Sequence, residues 1–315
     1  MREVIMETKP TLDPDIYTNL KALRLLKYKA HGFDFLPNQP INSALTGRHV
    51  SKLRGRGLNF EEMRHYQIGD DIRTMDWKVT NRTGKPHVKI FSEERERNVY
   101  VMVDQRTSMF FGSTGRMKSV VAAEIAALIA WKVIDSTDRV GAIVYNDSTA
   151  LPLSPQRSAN HVLKILNEIA SKNQQLKAGK AQDTQSNSFA KLFHQAQRLV
   201  KHDGLVILIT DGYGYNERSE EQIKALCQHN DVVLCHVTDP LEHDLATLNK
   251  MVLSDGQLQL SVSGQEAQLR DAFAKDVVQA IDNFTAVAKK YRIPVLPFNT
   301  VDPTDVQLRK ALGAS

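Results

Sequence analysis

Val99-Tyr100-Val101-Met102-Val103-Asp104-Gln105-Arg106-Thr107-Ser108-Met109 decides the fold class. Five consecutive apolar residues describe a short strand covered on both faces, and Asp104 marks where polar chemistry begins as the chain leaves the sheet. A glycine-bearing turn follows, then a long amphipathic helix from Arg116 to Ile134. The alternation recurs downstream. Strands are expected at 140–145, 205–209 and 232–237, and helices near 159–170, 189–200 and 217–227. Residues 257–262 read as an added edge strand and 265–291 as helix. Strands separated by helices imply right-handed crossovers. The expected class is therefore α/β, with a doubly wound, mostly parallel sheet.

Upstream of this region the pattern changes. Asp13-Pro14 offers a cap and a first-turn proline for a helix over 13–28, whose Ile16, Leu20, Leu23 and Leu26 share one face. Glycines at 47, 55, 57, 69 and 84, and the alternating run His87-Val88-Lys89-Ile90-Phe91, predict strands and turns rather than helix. The organisation expected is an N-terminal helix plus a smaller β-rich segment over 1–97, the sheet domain over 98–290 and an extended tail over 291–315. Pro294, Pro297 and Pro303 keep that tail out of a central strand, so it packs along the body or adds to an edge.

Composition narrows the function classes. Apolar residues make up 42% and charged residues 24% of 315, which is ordinary for a globular chain. The charged start lacks the apolar core of a signal peptide, and Val120 to Ile134 is too short and too often charged to span a bilayer. Cys227 and Cys235 form neither a disulfide framework nor a metal-ligand pattern. The expected location is the cytoplasm. The net charge of +5 sits entirely in residues 1–98, which hold 18 Lys/Arg against 13 Asp/Glu, whereas 99–315 hold 23 of each. Its sharpest cluster is Arg48, Lys52, Arg54 and Arg56. Such a patch can hold phosphates, anionic lipid or an acidic protein face, or simply pair with the carboxylates nearby. The excess is small for a nucleic-acid binder, so nucleic acid is not the expected partner.

In a doubly wound sheet, ligands sit at the carboxyl ends of strands near the switch point. Two such ends carry acids here, Asp104 and, after Leu205-Val206-Ile207-Leu208-Ile209-Thr210, Asp211. Two carboxylates in one crevice repel unless a cation or donor lies between them. Upstream, Gly69-Asp70-Asp71-Ile72-Arg73-Thr74-Met75-Asp76-Trp77 is dense enough for an ion-pair network with Trp77 as apolar anchor, and Arg64 and Arg82 are further candidates for it. Asp70, Asp71, Arg73, Asp76 and Trp77 thus form either a docking surface or a clamp joining the first segment to the sheet.

These strings carry a resemblance. Strand–Asp-x-x-x-Ser–helix followed by strand–Thr-Asp-Gly resembles the von Willebrand factor A domain, of Rossmann type, with its metal-ion-dependent adhesion site. The Gly-Asp-Asp-x-Arg-x-x-Asp-Trp string is similar to the hallmark of the bacterial domain-of-unknown-function 58 family. The resemblance implies site residues at Asp104, Ser108 and Asp211, with a loop hydroxyl at Ser186 and Thr184 as its rival. It also shows a departure: the middle ligand of the usual Asp-x-Ser-x-Ser is Arg106, and a guanidinium has no acceptor with which to ligate a cation. If Arg106 points inward, its charge replaces the metal and pairs Asp104 and Asp211. If it points outward, a weakened magnesium site survives on Asp104, Ser108 and Ser186.

Members of that family are commonly encoded with MoxR-type AAA+ ATPases. The resemblance therefore implies a non-enzymatic interaction module, an adaptor between such an ATPase and client proteins, whose strand tops receive a partner's polar or acidic side chain. In the arginine version Arg106 holds that carboxylate itself. The alternatives are a magnesium-dependent phosphate-ester hydrolase using Asp104 and Asp211, or a nucleic-acid binder using the 48–56 patch. A dehalogenase-type phosphatase needs a second Asp where Arg106 stands. The glycines of 112–119 do not fit a phosphate-binding loop, and no nucleophile elbow or zinc-protease pair occurs.

Overall fold

The computed structural model describes residues 13–30, 58–93, 96–177, 194–195, 198–244, 251–254, 259–262 and 284–312. The chain divides into two compact units, one formed by 45–96 and the other by 1–44 with 97–315. This corrects the expected grouping of 1–97. The first helices, α1 (Leu20–Leu25) and α2 (Lys27–Ala30), belong with the sheet. Helix α1 also begins later than Asp13-Pro14 predicts, because Asn19 caps it by accepting from the Ala22 N–H at 2.9 Å. Residues 13–18 instead lie against the sheet's helices: the Asp15 carbonyl accepts from the Met117 N–H, and the Thr18 N–H donates to Asn173.

The small unit is an antiparallel hairpin of β1 (Leu58–His65) and β2 (His87–Glu93), with a bulge between Phe60 and Glu62. Between the strands lie a 3-10 turn at Ile72–Thr74 and a helix that the glycine pattern did not predict, α3 (Trp77–Thr83). Asp76 starts this helix by accepting from two of its orphan N–H groups, and Gly84 ends it in the left-handed region at φ 67°.

The large unit resumes with β3 (Asn98–Asp104), α4 (Lys118–Asp135), β4 (Arg139–Tyr145), β5 (Ala150–Gln156), α5 (Ala159–Asn173), β6 (Leu205–Thr210), α6 (Glu217–His229), β7 (Asp231–Thr238) and α7 (Pro240–Asp244). Strands β8 (Met251–Ser254) and β9 (Gln259–Val262) follow, then a helical run at 284–290, β10 (Val295–Asn299) and α8 (Thr304–Ala311). The six-stranded sheet has the order β10-β7-β6-β3-β4-β5, parallel throughout except for β5. The fold is thus mixed α/β with a mostly parallel sheet flanked by helices. Of the edge strand expected at 257–262, the described residues 259–262 do not join the main sheet: as β9 they pair antiparallel with β8.

Alternation along the strands sorts the core into two faces. Tyr100, Met102, Ile143, Tyr145, Val206, Leu208 and Leu234 pack with Ile223, Leu226, Phe284 and Ala288. Helix α4 covers the other face and is buried around most of its circumference, not amphipathic as its charges suggested, because α2, α5 and α8 pack on its outer side. The tail adds to an edge as β10, one of its two expected placements, whereas the β5 edge was not expected. Pro152 and Pro155 in β5, and Pro297 in β10, are tolerated only where a strand has one partner. The C-terminal stretch is not extended throughout, since α8 occupies 304–311.

Candidate functional site at the strand tops

Strand β3 sends its continuation to β4 on one side and has β6 on the other, so the strand order reverses between β3 and β6. Val103 is opposite Ile209, which places Asp104 level with Thr210 at the carboxyl ends of the two strands. Thr210 Oγ1 donates to Asp104 Oδ2 at 2.7 Å. Asp104 is fully buried and Asp211, one residue on, is nearly so. The Asp211-Gly212 turn needs its glycine: at φ 75°, a Cβ on Gly212 would come within 2.5 Å of the Phe284 ring.

Arg106 points inward. Its backbone N–H and Nε donate to Asp104 Oδ1 at 2.9 and 3.0 Å, and Nη2 donates to Oδ2 at 2.6 Å. The same Nη2 stands 3.7 Å from Asp211 Oδ1, so the guanidinium bonds one acid and lies beside the other. Its plane also lies near the Tyr145 ring, with 5.7 Å between the guanidinium carbon and the ring centre. Burial alone would lower the Arg106 pKa, but the charge of Asp104 reverses that and holds it above its usual value. Since the side chain is only 5% exposed and turned to Asp104, it does not offer itself to a partner's carboxylate.

Asp211 has a second cation that the sequence reading missed. Lys118, at the first position of α4, donates from Nζ to Asp211 Oδ2 at 2.9 Å and also to Glu242 of α7. A lysine at a helix start opposes the helix dipole and ordinarily reads as a solvent residue. Here it is 3% exposed, and the two acids raise its pKa against the effect of burial. Glu242 is fixed in turn: its second oxygen accepts from the Asp239 N–H while Asp239 accepts from the Leu241 N–H. Asp239-Pro240-Leu241-Glu242 has the spacing of a capping box, which was the signal available in the sequence. Asp239 directly follows β7 and takes hydrogen bonds from Ser113 and from Thr300 beyond β10. Acids thus stand above β3, β6 and β7, each met by donors from the same chain.

Magnesium does not fit this arrangement. Asp104 has both oxygens engaged by Arg106 and Thr210. Asp211 Oδ1 accepts from the Tyr213 N–H at 3.0 Å, with Ser108 Oγ at 3.5 Å, and Oδ2 holds Lys118. A divalent ion would displace these bonds and sit against two fixed positive charges. Ser186 and Thr184 lie outside the described residues, as do Arg48, Lys52, Arg54 and Arg56.

Burial pushes the Asp211 carboxyl up, but Lys118 and Arg106 outweigh it and hold it at about 2. Its folded value lies below the unfolded value of about 3.9, so its contribution is whole above pH 4 and is lost as pH falls towards 2. We expect roughly 2–3 kcal/mol to disappear over that window. Urea midpoints measured between pH 6 and pH 2 should fall accordingly, and more shallowly in Asp211→Asn.

In the small unit, Asp70 pairs bidentately with Arg64 at 2.7 and 2.8 Å and accepts from the Gln67 N–H. Asp71 caps the 3-10 turn through the Arg73 N–H, and Asp76 caps α3 and holds Lys89 at 2.8 Å. The hydrogen bond from Arg64 lowers the Asp70 pKa, and that from Lys89 lowers the Asp76 pKa. Trp77, read as the apolar anchor of this segment, is 61% exposed, and Arg73 is exposed as well. Asp70, Asp71 and Asp76 therefore serve three neighbouring local structures within the small unit.

Fold and site together define a mixed α/β protein whose acidic strand tops are neutralised by its own arginine and lysine. Residues 62–282 match the family model described as "Protein of unknown function DUF58", and the chain belongs to that family. It is similar to the uncharacterized protein Rv1480 of Mycobacterium tuberculosis and to the uncharacterized protein Mb1516 of Mycobacterium bovis. Each is 29% identical over 267 residues, covering 84% of this chain and 78% of the relative. A solved structure, the conserved hypothetical protein BatB from Bacteroides thetaiotaomicron, aligns with 70% of this chain and 100% of its own at 12% identity and a TM-score of 0.39.

Proposed function

We propose that this chain is a non-enzymatic protein-interaction module of von Willebrand A type, an adaptor between a MoxR-type AAA+ ATPase and its client proteins. The observation that carries the non-enzymatic part is the neutralisation of Asp104 and Asp211 by Arg106 and Lys118, with Thr210 and Tyr213 as further donors. A catalytic ion, which a phosphate-ester hydrolase of this kind would require, would have to displace Arg106 or Lys118 from these carboxylates or sit beside their fixed positive charges. What remains is a rigid, internally neutralised platform at the strand tops. The exposed turn Ser113-Thr114-Gly115 and the loop Asp147-Ser148-Thr149 lie around it as contact surface. The ATPase and client assignment rests on the family resemblance.

Co-purification of the full chain from its own cells, with and without a chelator, tests this reading. Recovery of an AAA+ ATPase in equal amount under both conditions is expected. Capture lost with chelator would instead mean a metal-dependent site. Turnover of a phosphate ester by the purified chain, abolished by Asp104→Asn, would overturn the non-enzymatic assignment.

A further inference from the structure

We infer that His65 and His87 form a two-imidazole site for a late first-row divalent ion such as zinc, nickel or copper. The two residues are direct partners in the β1–β2 register. The His87 N–H donates to Thr80 Oγ1 at 3.1 Å, and its carbonyl accepts from the Asp76 N–H at 2.9 Å. Neither group faces β1, so His65 and His87 occupy a non-hydrogen-bonded pair, the position that brings cross-strand side chains closest. The ring centres are 4.4 Å apart.

The hydrogen bonds of His87 then select the nitrogen. Its Nδ1 lies 2.7 Å from the Lys85 carbonyl oxygen, which can only accept, so that nitrogen carries the proton. Nε2 of the neutral ring is left as a bare lone pair. A ligating histidine that donates its other N–H to a backbone carbonyl is the usual arrangement around protein-bound metals. Two of the cations close by are committed elsewhere, Lys89 to Asp76 and Arg64 to Asp70. Two imidazoles suit zinc, nickel and copper and discriminate against magnesium, with water completing the coordination.

The unit also has a physical use for such a staple. Among its described side chains only Val88 is buried, and an isolated two-stranded hairpin is marginal in water without further reinforcement such as a metal ion. An ion bridging β1 and β2 would fix their register at the end of the hairpin nearest the α3 connection.

Titration of the full-length protein with zinc or nickel chloride, followed by calorimetry, tests the inference. One saturable equivalent is expected, weakened at least tenfold in both His65→Gln and His87→Gln, with no response to magnesium. His202 and His229, whose rings lie 4.6 Å apart in the large unit, provide the control. Binding that is absent, that survives both hairpin variants, or that is lost in His202→Gln instead would overturn the assignment. Circular dichroism of the variants without metal separates loss of a ligand from loss of the fold.

Discussion

Arg106→Ala is expected to destabilise the protein by about 3–5 kcal/mol, seen as a lowered urea midpoint at pH 7. The cost has little to do with any attraction lost at the surface. Asp104 has no exposed area, and removal of the guanidinium leaves its buried charge without a cation bonded to it, facing the Thr210 hydroxyl and the backbone N–H of residue 106. Asp211 loses a neighbouring positive charge at the same time. The pair as a whole is worth much less than its breakage costs, since two ions must be desolvated to build it. Asp104→Asn combined with Arg106→Met keeps an acceptor for Thr210 and removes both charges, so the double variant should recover a large part of the loss. Equal destabilisation in the single and double variants would mean that Arg106 acts through packing rather than charge.

Lys118→Met carries a second effect of about 3–5 kcal/mol, with a different signature. Without the ammonium, Asp211 and Glu242 are two buried acids, with the Arg106 guanidinium 3.7 Å from Asp211 and already bonded to Asp104. One of them must take up a proton or the region must open to water. The deficit is therefore expected to shrink as pH is lowered from 7 to 5, opposite in direction to the wild-type response. Adding Glu242→Gln removes the second acid and should restore part of the stability at pH 7. A deficit that is independent of pH and unchanged by Glu242→Gln would show that Lys118 does not neutralise these carboxylates.

The central layers were legible because buried parallel strands must be apolar, so Val99–Val103, Leu205–Ile209 and Val232–Val237 stand out against the helices between them. Asp104 and Asp211 were legible for a related reason: a carboxylate directly after such a run has nowhere to go but the strand top. The edges were legible only in part: the prolines of the tail allowed it an edge position, which β10 takes, but Pro152 and Pro155 hide β5 as a strand. Lys118 could not be identified from its neighbours in sequence. Its partners are 93 and 124 residues away, and only the meeting of α4, β6 and α7 above the sheet creates the charge it answers. The start of α1 was misplaced because Asp13-Pro14 and Asn19 are both valid caps, and the hydrogen bonds of residues 15 and 18 to α4 and α5 decide between them.

Calorimetric titration with magnesium addresses the strand-top chemistry most directly. With Arg106 and Lys118 already seated on Asp104 and Asp211, magnesium should give no heat beyond dilution and no rise in melting temperature. A saturable isotherm that disappears in Asp104→Asn would contradict the account, since it would show that the two side chains give way to an ion they are held to replace.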